Sequence, residues 1–132
     1  MILLGTAAQA NSGEIAPVTL DDRLVGWQDV MPTLLGLAGV PVPESVEGRS
    51  MLTDPRRETL YGEVGEGVNA TRMLHDGRFK LIYYPVGNRV QLFDLDADPG
   101  GFTDLSDYEA HADIRQRLQS SLQQEFYGSD EA

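Results

Sequence analysis

Apolar and polar residues alternate along two neighbouring runs, residues 70–75 (ATRMLH) and, less strictly, residues 78–84 (RFKLIYY). A period of two marks strands with one buried face. Between the runs stand Asp76 and Gly77. Such a pair predicts a hairpin with a type I′ turn, which needs positive φ at both central residues. A third strand is predicted at Val90–Leu95, after the loop Pro85-Val86-Gly87-Asn88, and the acidic turn Asp96-Ala97-Asp98-Pro99 ends it. The three strands form a small antiparallel meander. Residues 58–63 (ETLYGE) are a further strand candidate, and the glycine-rich residues 64–69 read as a loop.

A period near 3.6 predicts two helices. Within Trp27–Gly39, Met31, Leu34, Leu35 and Ala38 share one face. Asp29 is the predicted N-cap. Pro32 falls in the first turn, where its missing N–H has no helical partner, and Gly39, Pro41 and Pro43 stop the helix. A helix of about three turns is unstable alone, so its apolar face must be buried on something. The second helix runs over Tyr108–Tyr127. Asp107 is its candidate cap, Ile114, Leu118, Leu122 and Phe126 repeat on one side, and Gly128 ends it before an acidic tail.

The first residues fit this pattern less well. Ile2–Leu4 is predicted as one short buried strand without a partner near it in sequence, like the cut edge of a larger sheet. Residues 5–23 read as a loop with an extended piece at Val18–Leu20, and residues 40–57 as an irregular, proline-directed connection. Met1–Leu4 followed by Ala8-Gln9-Ala10 has the outline of a signal peptide. It lacks a basic start and the roughly 7 apolar residues such a segment needs. The compartment stays open, with the cytoplasm favoured.

Composition narrows the functional classes. The chain has 132 residues, enough for one modest core, and 41% of them are hydrophobic. A net charge of −11 argues against nucleic acid or an anionic membrane as partner. No apolar run approaches the roughly 20 residues of a membrane span. There is no cysteine, which excludes disulfides, thiolate catalysis and zinc–sulfur sites.

Candidate chemistry is sparse. Asp94, Asp96 and Asp98 have the first spacings of a calcium loop, but Pro99 and Leu105 stand where that loop needs glycine and glutamate. A plain Asp-x-Asp-Pro turn is the better reading. Gly62, Gly65 and Gly67 match neither a dinucleotide nor a phosphate-loop spacing. Asn69-Ala70-Thr71 is a glycosylation sequon by spelling alone. His75 and His111 have no second ligand at metal spacing, and no Gly-x-Ser-x-Gly elbow occurs. The residues by themselves describe an α+β domain with no complete active site.

A resemblance adds to this. Residues 29–43 (DVMPTLLGLAGVPVP) resemble the D-x-x-P-T-x-L-x-x-A-G-x-x-x-P segment that ends the catalytic domain of sulfatases in the alkaline phosphatase superfamily. Residues 47–51 (EGRSM) resemble the element that follows. Residues 76–84 (DGRFKLIYY) and 91–99 (QLFDLDADP) resemble the family's C-terminal hairpin, and Asp104-Leu105 matches its next dipeptide. Order and spacing agree over nearly all the chain.

The resemblance implies the last quarter or so of a sulfuric-ester hydrolase. Residues 1–45 would close the catalytic domain as a strand, loop and helix remnant of its α/β sheet. Residues 46–132 would be the C-terminal subdomain, an antiparallel meander with a terminal helix packed on it. A full-length relative would carry calcium and a formylglycine. No Cys- or Ser-x-Pro-x-Arg motif is present here, so catalytic residues, metal ligands and cofactors are expected to be none in this chain. The rim of the substrate mouth is expected at Glu63, Glu66, Asn69 and Arg72, a segment that equally reads as an ordinary solvated loop. The expected partner is the missing catalytic domain or, through an exchanged edge, a second copy in a homodimer. Two alternatives stand beside the sulfatase reading. One is a stand-alone interaction module derived from a sulfatase, and the other a piece of a related phosphonate or phosphate monoester hydrolase.

Overall fold

The computed structural model describes residues 2–3, 19–20, 23–53 and 57–127. The chain divides into two compact units, residues 1–57 and 58–132.

In the first unit, β1 (Ile2–Leu3) pairs antiparallel with β2 (Thr19–Leu20), Ile2 opposite Leu20. The expected lone edge therefore has a partner, the extended piece predicted near Leu20. A 3-10 turn, Trp27–Asp29, leads into α1 (Val30–Leu37). Asp29 does not cap α1 with its side chain. It closes the turn ahead of it, its carboxylate accepting from the Gly26 N–H at 2.8 Å.

The face that α1 buries is also not the predicted one. Pro32 and Thr33 are buried, while Met31 is 52% and Leu34 59% exposed. Polar bonds hold the helix instead. The Thr33 hydroxyl donates to the Asp29 carbonyl at 2.6 Å and accepts from the Met51 N–H at 2.8 Å. Asp29 accepts from the Arg49 N–H at 2.7 Å and from the Arg57 guanidinium. Gly48 fits this clasp because a Cβ there would run into the Gln28 carbonyl.

The second unit is a four-stranded meander, β3 (Leu60–Val64), β4 (Thr71–His75), β5 (Phe79–Tyr84) and β6 (Arg89–Asp94), with every neighbour antiparallel. Its register lines up Tyr61, Leu74, Leu81 and Leu92 in one row across all four strands. Leu118 and Leu122 of α2 (Ala112–Tyr127) close over that row, with Phe79 completing the buried cluster and Ile114 packed against it. At roughly 1.5–3 kcal/mol per buried large side chain, this layer is the main source of stability of the unit. The predicted α+β architecture of meander and terminal helix is what the structure has. Phe126, Gly128 and the acidic tail lie outside the described side chains and residues.

The β4–β5 turn differs from prediction. Asp76 has an ordinary negative φ, and Gly77 has φ +96°. Asp76 instead stands before the turn, its carboxylate accepting from the Arg78 N–H at 3.0 Å and the Phe79 N–H at 2.6 Å. Positive φ at the first central residue alone is the type II′ pattern. Gly77→Val is expected to cost about 1–3 kcal/mol, all of it backbone strain, since an added Cβ meets nothing within 4 Å. An unchanged urea midpoint would contradict that conformation. The second helix likewise starts without its predicted cap. Tyr108, not Asp107, precedes a 3-10 turn at Glu109–His111, and no side chain caps it.

Four aspartates tie the loops of this unit down. Asp94 takes Arg78 bidentately, Nε at 3.1 Å and Nη2 at 2.7 Å, and accepts from the N–H groups of Asp96 and Ala97. Asp76 also accepts from Arg117 of α2 at 2.6 Å. Asp104 accepts from the Leu92 N–H at 3.1 Å, covering the edge of β6. Asp98 accepts from the N–H groups of Phe102 and Thr103.

The Arg78 guanidinium holds the Asp94 carboxyl down to about 2. The Thr103 N–H, foremost, lowers Asp98. Burial raises Asp76 and Asp104, but their hydrogen bonds outweigh it and both end below the usual range. A carboxyl lowered in the fold stabilises it above the unfolded value and loses that contribution as pH falls through the folded value. Stability is therefore expected to decline from about pH 4 toward the low value of Asp94. Asp94→Asn should flatten that decline in urea titrations taken across this range. An equally steep decline in the variant would contradict the assignment.

Among the described residues, no helix is long and apolar enough to cross a membrane.

Candidate functional site

The row beside the leucine row on the same sheet face is polar on its first three strands. Glu63, Arg72, Tyr83 and Val90 stand opposite one another across β3 to β6. A groove of about 650 Å³ opens here. Glu63, Arg72 and Tyr83 come from the strands. Gly67 and Val68 come from the 3-10 turn between β3 and β4, and Pro85 and Asn88 from the β5–β6 loop. Gln119, Leu122 and Gln123 face them from α2.

Two of the four predicted rim residues meet in this groove. The Arg72 Nε donates to Glu63 Oε2 at 3.0 Å, and the Tyr61 hydroxyl donates to the same oxygen at 2.5 Å. Burial first, then the Glu63 carboxylate, push the Tyr61 phenol upward. Glu66 and Asn69 lie exposed on the intervening turn, which the Asn69 N–H closes onto the Glu66 carbonyl at 3.4 Å. That turn lends the groove Gly67 and Val68 rather than Glu66 or Asn69. Tyr83, Asn88, Gln119 and Gln123 were not predicted. Tyr83 was within reach of the strand pattern, being two residues from Leu81 and so on the same face. Asn88 and the two glutamines depend on loop geometry and helix placement, for which the sequence carries no signal.

The histidines sit at the other end of the sheet. His75 Nδ1 is 3.0 Å from the Phe79 carbonyl. The His111 ring is tilted against that of Phe79 with centroids 6.3 Å apart, and its Nδ1 is buried without a hydrogen-bond partner.

The sequence matches the family described as N-sulphoglucosamine sulphohydrolase, C-terminal, over residues 10–127. The chain belongs to this sulfatase family, as its C-terminal portion. An arylsulfatase of Clostridium perfringens (strain 13 / Type A) is 30% identical over 116 residues, covering 83% of this chain and 24% of that protein. An arylsulfatase K of Gallus gallus is 36% identical over 100 residues, covering 63% of this chain and 19% of that protein. The chain thus spans about a quarter or less of the sulfatases it matches. Among solved structures, a 2-O GAG sulfatase superimposes with a TM-score of 0.69 at 24% identity, covering 78% of this chain and 25% of the other, a likeness of fold. A phosphonate monoester hydrolase from Silicibacter pomeroyi superimposes with a TM-score of 0.60 at 25% identity, covering 74% and 24%.

The residues of this sulfatase portion do not fit the calcium and formylglycine that the family resemblance implies for a whole enzyme. There is no cysteine and no Ser-x-Pro-x-Arg run. Among the described residues no three His, Asp or Glu side chains converge on one point, and Asp94 is occupied by Arg78.

Proposed function

We propose that these residues are the C-terminal part of a sulfatase-like sulfuric-ester hydrolase, that they pack on its catalytic domain, and that their groove shapes the substrate mouth. Catalysis, calcium and formylglycine belong to the catalytic domain, so the 132 residues alone do not turn over substrate. The observation that carries this reading is the meeting of Glu63 and Arg72 in a groove built by three chain segments, within a chain of the sulfatase family. Packing is supported by the exposed apolar residues of α1 and the turn before it, Trp27 at 91%, Met31 at 52% and Leu34 at 59%. Such a patch marks an interaction surface. A second copy of the chain would compete for it.

A related phosphonate monoester hydrolase is the second reading, favoured by the likeness to the Silicibacter pomeroyi enzyme. An assay of the purified chain on an aryl sulfate and an aryl phosphonate tests the division of labour. No turnover above buffer is expected on either. Turnover abolished by a substitution within the chain would overturn the reading.

A further inference from the structure

The chain has 10 cationic side chains against 21 acidic ones, and Lys80 is its single lysine. The arginines are drawn into short contacts within the fold. Arg57 pairs with Asp29, Arg72 with Glu63 at 3.0 Å, Arg78 with Asp94 at 2.7 Å and Arg117 with Asp76 at 2.6 Å. In each of these pairs one partner is no more than 13% exposed. Arg115 donates to the Ser106 carbonyl, and Lys80 lies over the Phe93 ring. The carboxylates left over are on the surface. Glu44, Glu47, Glu58, Glu66, Asp107 and Glu125 are exposed and stand in no ion pair among the described residues. Glu125 lies in the last turns of α2, at the negative end of the helix dipole, where no basic residue offsets it.

We propose that this fold is built for saline surroundings, and that salt stabilises it by screening the repulsion among its unpaired carboxylates. Salt acts on the two sets of charges with opposite signs. It weakens attraction within the pairs and repulsion among the unpaired groups. Which effect wins depends on distance and burial. Exposed charges about a Debye length apart, about 10 Å at 0.1 M salt, are screened strongly, and close, partly buried pairs much less. The attractions here are the close, partly buried contacts, and the repulsions of a net charge of −11 are spread over the surface. Self-repulsion of that kind destabilises a compact state. Salt therefore removes the repulsion and leaves the pairs. Arginine suits such a fold better than lysine, because its planar fork holds a carboxylate bidentately and is weakly hydrated, as Arg78 shows on Asp94.

The test is urea unfolding of the whole chain in NaCl and in KCl. Salt runs from about 0.01 M, where the Debye length is about 30 Å, to about 1 M, where it is about 3 Å. The urea midpoint is expected to rise across this range, and equally in both salts. A variant carrying Glu58→Gln, Glu66→Gln and Glu125→Gln separates screening from any effect of salt on apolar burial, which both proteins share. All three positions are exposed, and glutamine matches glutamate as a helix former at position 125, so the variant folds. Its midpoint is expected to exceed that of the unsubstituted chain at low salt and to meet it at high salt. A midpoint that stays flat or falls as salt is added overturns the proposal. So does a variant whose midpoint rises as steeply as that of the unsubstituted chain. A rise confined to one of the two cations overturns it as well, since screening does not distinguish sodium from potassium.

Discussion

Leu81→Ala is expected to lower the stability of residues 58–127 by about 2–5 kcal/mol, the range for truncating a buried leucine. Leu81 is fully buried and sits in the middle of the Tyr61, Leu74, Leu81, Leu92 row, with Leu118 and Leu122 of α2 in the same cluster. Neighbours on both sides are held by strand register, so the cavity cannot collapse by a small shift. Urea unfolding followed by far-ultraviolet circular dichroism reads the loss. A change below about 1 kcal/mol would mean that the site relaxes more freely than packing at this density allows.

Asp29→Ala is expected to cost about 3–5 kcal/mol within the first unit, the penalty for removing one partner of a buried ion pair. Asp29 is 2% exposed and its carboxylate accepts from the Gly26 N–H, the Arg49 N–H and the Arg57 guanidinium. Alanine leaves all three donors without it. Asp29→Asn keeps an acceptor but loses the charge, and should cost less. Hydrogen exchange gives the site-specific reading, with the Arg49 and Met51 amides losing protection in Asp29→Ala. Unchanged protection at both would show that Thr33 alone holds the segment.

The meander was legible because its signals are local. Alternation over residues 70–84 places Leu74 and Leu81 on one face, and the Leu118–Leu122 spacing supplies the matching helix stripe. Turn details were less legible, since a side chain competed with the backbone. Asp76 was expected inside the turn, but its carboxylate caps the turn from before it and shifts the centre to Gly77 and Arg78.

In α1 the apolar stripe, expected to be buried on a partner, faces outward within this unit, with Met31 52% and Leu34 59% exposed. Its apolar period was real, but the buried contacts belong to Asp29, Pro32 and Thr33, whose partners at Arg49 and Met51 lie in a stretch without periodicity. The rim prediction followed mobility and charge along one loop. It therefore found Glu63 and Arg72, which flank the loop on paired strands, and placed Glu66 and Asn69 beside them, whereas the groove draws its other polar groups from Asn88 and α2.

The central claim is that this chain contributes recognition rather than chemistry to a sulfatase. It is tested most directly by grafting residues 58–127 in place of the matching C-terminal segment of the Clostridium perfringens arylsulfatase. Steady-state kinetics of the graft are then compared with and without Arg72→Gln. The account predicts a KM altered by the substitution while kcat is retained, as follows from the proposal that the groove shapes the substrate mouth and touches no reacting bond. A kcat that collapses while KM stays the same would contradict it.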